Sequence, residues 1–224
     1  MKTLKTLTLA IAISLAGSAL AQHQGHQVPG PATPGAHSGH TMPTASSPAA
    51  KAFAEANAKM HKDMSIAFSG NADVDFARGM VPHHQGAIDM AEIVLKFGKD
   101  TEAMKLATAI IAAQKTEIAQ LQIWIAKNGT QAPMQDAAAI AKAFTEVNTK
   151  MHADMTMAFT NRPDVDFIKG MIPHHEGAVA MARVQLHYGK DAEMRKLAED
   201  IIKSQNEEIA MMRNWLKKNG AGPT

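Results

Sequence analysis

Apolar positions recur along most of this chain in steps of three and four. Phe53, Asn57, Met60 and Met64 follow that step. So do Phe76, Met80, His83, Ala87, Met90 and Val94, and again Met104, Ala107, Ile111, Gln114, Ile118, Leu121 and Ile125. A period near 3.6 residues puts each set on one face of a helix, and no segment alternates as a strand would. The pattern predicts three helices: the first over about 49–68, the second after Asp73 as N-cap up to Gly98, the third from near Asp100. The third stops at Lys127-Asn128-Gly129, a basic last turn followed by glycine. Long helices with short connections pack as antiparallel neighbours, so the fold class is an all-α bundle.

The pattern then starts again. Residues 52–129 and 143–220 align without a gap, and more than half of the aligned positions are identical. A first helix over about 138–159 is expected in the second copy, and Asp164, Gly189, Asp191 and Gly220 punctuate it where Asp73, Gly98, Asp100 and Gly129 punctuate the first. The expected organisation is a signal peptide over 1–21, a linker over 22–48, one repeat over 49–129, a short linker over 130–137 containing Pro133, and a second repeat over 138–220. Three helices per copy leave a four-helix bundle incomplete, so the copies should dock on each other or on another chain.

One stretch breaks the local rules. Gly79-Met80-Val81-Pro82-His83-His84-Gln85-Gly86 sits inside the second helix and returns as Gly170-Met171-Ile172-Pro173-His174-His175-Glu176-Gly177. A helix-interior proline costs about 3 kcal/mol, and each interior glycine up to about 1 kcal/mol. Violations of this kind concentrate at functional sites. The side chains between the breakers are thioethers and imidazoles, donors that suit a soft or borderline metal ion.

Composition narrows the chemistry. The chain has no cysteine, so it has neither disulfides nor thiolate ligands; it has sixteen methionines. Lys2 and Lys5, a short apolar run and Ala19-Leu20-Ala21 read as an export signal cleaved after Ala21. The protein should therefore be periplasmic or secreted. Loss of those two lysines takes the formal charge of +2 to about zero, which argues against a nucleic-acid partner. No later stretch is apolar for long enough to span a bilayer. The linker carries His23, His26, His37, His40 and Met42, which read equally as a polar tail or as a loose metal-capturing arm.

The seams point His83 inward with Met80 and Met90, and add Met60 and Met64 from the first helix with His61 beside them. Adjacent helical residues lie about 100° apart, so His84 should sit on the flank, toward His61 or another helix. The corresponding second set is Met151, His152, Met155, Met171, His174, His175 and Met181. Gln114, retained as Gln205, is polar in an apolar seam and could orient an imidazole. A single methionine or histidine in a seam is ordinarily core; here the combination recurs, while exposed positions such as Lys62 and Ala153 have diverged. No carboxylate recurs among these donors in a ligand pattern: Asp89 aligns with Ala180, and Asp75, though it recurs as Asp166, suits capping.

Met-x-Pro-His-His-x-Gly-Ala-x-x-Met-Ala, with Ile110-Ile111-Ala112-Ala113-Gln114-Lys115-Thr116-Glu117-Ile118 and Trp124 after it, resembles the domain of unknown function 305 (DUF305) family. The second copy resembles it equally, through Ile201 to Ile209 and Trp215. The resemblance implies a ferritin-like helical bundle in each repeat. Exported members with tandem copies, the CopM-type proteins, imply copper binding and copper tolerance, with a copper exporter or another copper carrier as partner. Neutral thioethers and imidazoles favour Cu(I) over Zn(II), and the expectation is one comparable Cu(I) site in each copy. Two alternatives stand beside copper binding. A non-catalytic interaction or scaffold module, which could form a homo-oligomer, needs the histidines only for packing. A ferritin-like di-iron or di-manganese oxidase needs Glu-x-x-His pairs, and no glutamate stands three residues before any histidine. His175-Glu176 lacks the second histidine of a zinc-hydrolase motif. Non-enzymatic function is therefore expected.

Overall fold

The computed structural model describes residues 47–222. The expected signal peptide and nearly all of the expected linker, including its histidines, lie outside the described residues. Six helices follow in order: α1 (Pro48–Asp63), α2 (Ala72–Phe97), α3 (Thr101–Asn128), α4 (Ala137–Asp154), α5 (Pro163–Tyr188) and α6 (Ala192–Lys218). There is no strand among the described residues. None of their helices is long and apolar enough to cross a membrane.

Local chemistry accounts for most boundaries. Ser47 accepts from Ala50 N–H and caps α1, with Pro48 in the first turn, where its missing N–H costs nothing. Asp100 caps α3 through Ala103 N–H, and Asp191 caps α6 through Glu193 and Met194 N–H. Three details depart from expectation. The α2 cap is Asn71, which accepts from Val74 N–H, rather than Asp73. Gly129 ends α3 with φ −67, so it is not in the left-handed conformation of a usual C-terminal glycine. Both first helices also stop about five residues early, because the chain turns to pack across the molecule. Phe68 stacks on Phe144 at 5.4 Å, and Phe159 on Phe53 at 6.0 Å.

Those turns are braced from inside the next helix. Asp75 accepts from Ser69 N–H, Ser69 Oγ–H and Gly70 N–H; Asp166 accepts from Thr160 N–H and Oγ–H. Gly70 takes φ +77 and Asn161, at the equivalent place, φ +59. Glycine and asparagine are the two residues that enter this region at least cost.

α2 and α5 form the centre. α1 and α3 flank α2, and α4 and α6 flank α5. The central pair runs antiparallel: Met181 lies against Gly79, His83 against His174, and Met90 against Gly170. The halves are also tied at both ends. Asp73 accepts from Lys190 N–H, Asp191 N–H and the Gln185 side-chain amide, while Asp164 accepts from Lys99 and Asp100 N–H. The halves thus dock on each other, one of the two outcomes their incomplete bundles required. Pro82 and Pro173 stay inside continuous helices. The burial of the helices around them opposes the proline cost, since Met80, His83, Met171 and His174 all have no exposed surface.

The apolar seam of α3 is rotated slightly from its predicted line. Ala103, Ala107, Ile110, Gln114, Leu121 and Trp124 are buried, while Met104, Ile111, Ile118 and Ile125 sit on its flank, half-buried. The apolar stripe is wider than the line of contact, and the position of α2 decides which edge of it is covered.

Candidate metal-binding site

The site grows from the α2–α5 crossing. His83, His84, His174 and His175 are all fully buried. The His83 and His174 rings lie 3.8 Å apart between centroids, and His174 Nε2 is 3.0 Å from the His83 carbonyl oxygen. Both nitrogens of His83 and Nδ1 of His174 have no hydrogen-bond partner. Burial, followed by the neighbouring imidazoles, holds both rings well below the ordinary histidine pKa. Both rings therefore favour the neutral form, in which one nitrogen of each is a lone pair.

His84 and His175 continue this row outward, with centroids 6.1 Å from His83 and 6.0 Å from His174. His84 points at α3, where its Nε2 lies 2.6 Å from Glu117 Oε2, an ion-pair distance angled off the line of a hydrogen bond. His175 Nε2 makes the equivalent 2.6 Å contact with Glu208 as a hydrogen bond. These two glutamates are recurring carboxylates that the sequence reading passed over; they touch the histidines rather than joining them in a ligand pattern. They recur at the same repeat position and lie three residues after Gln114 and Gln205, a signal that was present in the sequence. The glutamines themselves are buried, and their amide oxygens have no partner; neither bonds an imidazole.

The thioethers surround the row. Met60 lies so close over Gly86 that a Cβ there would come within 2.4 Å of its sulfur; Met151 lies over Gly177 in the same way, at 2.7 Å. The glycines inside the histidine motif thus allow a methionine of the preceding helix to reach α2 and α5 directly. Met80 and Met171 are fully buried, and Met64 and Met155 are buried at the ends of α1 and α4. Met90 and Met181 reach the opposite half, against Gly170 and Gly79.

Nearer the surface, His61 and His152 stack at 4.0 Å, both half-buried, and burial lowers the pKa of each. Met64 and His152 line an open groove of about 390 Å³ with Phe68 and Asn148. The structure therefore brings equivalent histidines of the two halves together, His83 with His174 and His61 with His152. It does not gather three His, Asp or Glu side chains into one metal-sized cluster among the described residues. The buried side chains around the histidine row that could add to it are thioethers, which are soft ligands.

An all-helical chain with a buried His-His and Met array is the class of protein that fold and site define, and the family follows. The family model described as "Domain of unknown function (DUF305)" matches residues 73–216, so the chain belongs to the DUF305 family. CopM in a silver-bound form is 36% identical with a TM-score of 0.50, over 65% of this chain and 95% of that one. Its Cu(I)-bound form is 37% identical with a TM-score of 0.49, over 65% and 96%. A DUF305 protein of Streptomyces coelicolor shares the fold at a TM-score of 0.55 and 24% identity, over 68% and 96%. Protein L153 of Acanthamoeba polyphaga mimivirus is 39% identical over 66 residues; the match takes in 30% of this chain and spans 42% of that relative's length.

Proposed function

We propose that this chain is an exported, non-enzymatic copper-binding protein that sequesters or passes on Cu(I). In this reading each half is a ferritin-like unit of a tandem repeat. The metal is cargo, held by Met60, His61, Met64, Met80, His83, His84 and Met90 and by their counterparts Met151, His152, Met155, Met171, His174, His175 and Met181. The observation that carries the reading is the central His83–His174 pair: buried, held neutral, largely unpartnered, and set in a core rich in thioethers. Buried polar groups are ordinarily hydrogen-bonded, so nitrogens left free in duplicate call for a ligand. Neutral sulfur and nitrogen donors cannot offset a divalent charge but suit a soft monovalent ion. The likeness to silver-bound CopM supports the same class of ion. A copper exporter or another copper carrier would take the metal onward.

Anaerobic titration of the protein with Cu(I), beside Zn(II), with metal counted per chain, tests this. Cu(I) should bind stoichiometrically and much more tightly than zinc. Equal affinity for both ions, or no Cu(I) bound, refutes the reading.

A further inference from the structure

The carboxylates at the two outer ends of the histidine row have no role in the reading above. Glu117 and Glu208 each keep about a fifth of their side-chain surface exposed, whereas the imidazoles they touch are fully buried. An ionised carboxylate can only accept a hydrogen bond, so His175 Nε2, hydrogen-bonded to Glu208 at 2.6 Å, carries the proton; His84 Nε2 faces the Glu117 carboxylate at the same distance, off the hydrogen-bond line, and the same negative oxygen favours the proton there. In a neutral imidazole the other nitrogen is then a lone pair. That nitrogen is Nδ1 of His84 and of His175, buried and without a partner in both halves. A histidine kept for packing alone would be expected to turn that atom to a donor. Metal-ligating histidines characteristically present this arrangement, with one nitrogen on a carboxylate and the other on the metal. Met80 and Met171 stand four residues before these histidines, which places them on the same helix face one turn away. Both methionines have no exposed surface.

We propose that Glu117 and Glu208 are positioning residues that aim Nδ1 of His84 and His175 at a soft monovalent ion, with Met80 and Met171 as the adjacent thioethers. This rests on the metal-binding reading and deepens it. The outcome is two outer subsites, one in each half, each built on an imidazole whose ring lies about 6 Å from the central ring of the same half.

Silver(I) is a suitable probe because it is soft, monovalent and redox-silent. Two-bond ¹⁵N–¹H spectra of the ¹⁵N-labelled full chain report each imidazole's tautomer, with assignments from His84→Asn and His175→Asn. Before silver is added, His84 and His175 should both carry the proton on Nε2. On adding silver their Nδ1 signals should shift while Nε2 stays protonated. Glu117→Ala and Glu208→Ala should each weaken silver binding about 10-fold or more, as is usual when such a partner is lost. Glu208→Gln should recover much of that, because its amide oxygen still accepts from His175 Nε2. Silver that binds while Nδ1 does not move, or a proton found on Nδ1, overturns this inference and leaves the metal-binding reading standing. Alanine variants that bind silver as the parent does also overturn it. Silver that does not bind at all overturns both.

Discussion

Gly86 offers the sharpest test of how the methionines are held. A Cβ at Gly86 would meet Met60 at Sδ 2.4 Å, Cγ 2.7 Å and Cβ 3.0 Å. The first two atoms could swing away, but the third is fixed to the α1 backbone. Gly86→Ala must therefore push α1 off α2 as well as displace the sulfur. Forcing a methyl into a packed core costs about 1–3 kcal/mol, while alanine in place of glycine returns up to about 1 kcal/mol of helix propensity. At Gly170, also buried in the middle of a helix, the nearest atoms to a new Cβ are the Met157 and Met90 sulfurs at 3.8 Å, ordinary contact. Gly170→Ala should keep the propensity gain and add burial. The same substitution thus has opposite signs at two places in the motif helices, and the variants should differ by roughly 1–3 kcal/mol. In a domain of this size 1 kcal/mol moves Tm by about 2–4 °C. Calorimetry of the metal-free protein should show Gly170→Ala melting above the parent and Gly86→Ala below it. A silver or Cu(I) competition titration should show weaker binding only for Gly86→Ala. If the two variants melt alike and bind alike, Met60 is not clamped on Gly86 and cannot be counted among the ligands.

The metal-free protein should lose stability as pH falls below about 6.5. His61, His83, His152 and His174 have folded pKa values below the unfolded one, so in that window the unfolded chain binds more protons; the contribution is fully present above about 6.5. Urea unfolding between pH 5 and 7.5 should show this slope, and His83→Gln should flatten it; a pH-independent midpoint would contradict the burial argument. Because His83 and His174 are in contact, His83→Ala with His174→Ala should cost little more Cu(I) affinity than either alone; strictly additive losses would mean two independent sites. Asp73→Ala leaves the Lys190 and Asp191 N–H groups without their acceptor and should cost about 1–3 kcal/mol by urea unfolding, more than any effect on local helix capping. Deleting residues 22–46 should leave the far-UV circular dichroism of the helical part unchanged. Extending the deletion through Ser47 removes the α1 cap and should cost about 1 kcal/mol.

Much of this protein is legible along the chain because it depends on near neighbours. The 3.6-residue period and Asp100 before α3 are local, so helix number and class follow from sequence alone. The central seam of α2 was equally readable, since every member from Phe76 to Val94 is buried. The stretch that brings the histidines together was also legible, because proline and glycine among histidines and methionines run against helix propensity. Contacts between the halves were not. Only docking shows that Asp73 grips the α5–α6 connection instead of capping its own helix, or that Phe68 leaves α1 to stack on Phe144. The same docking turns two lone motif histidines into a pair of rings 3.8 Å apart. A repeat shows two copies of a face but not which face meets which, because both copies carry the same apolar pattern. Antiparallel packing of α2 on α5 is what sets Met181 on Gly79, His83 on His174 and Met90 on Gly170, and so decides which donors the halves share.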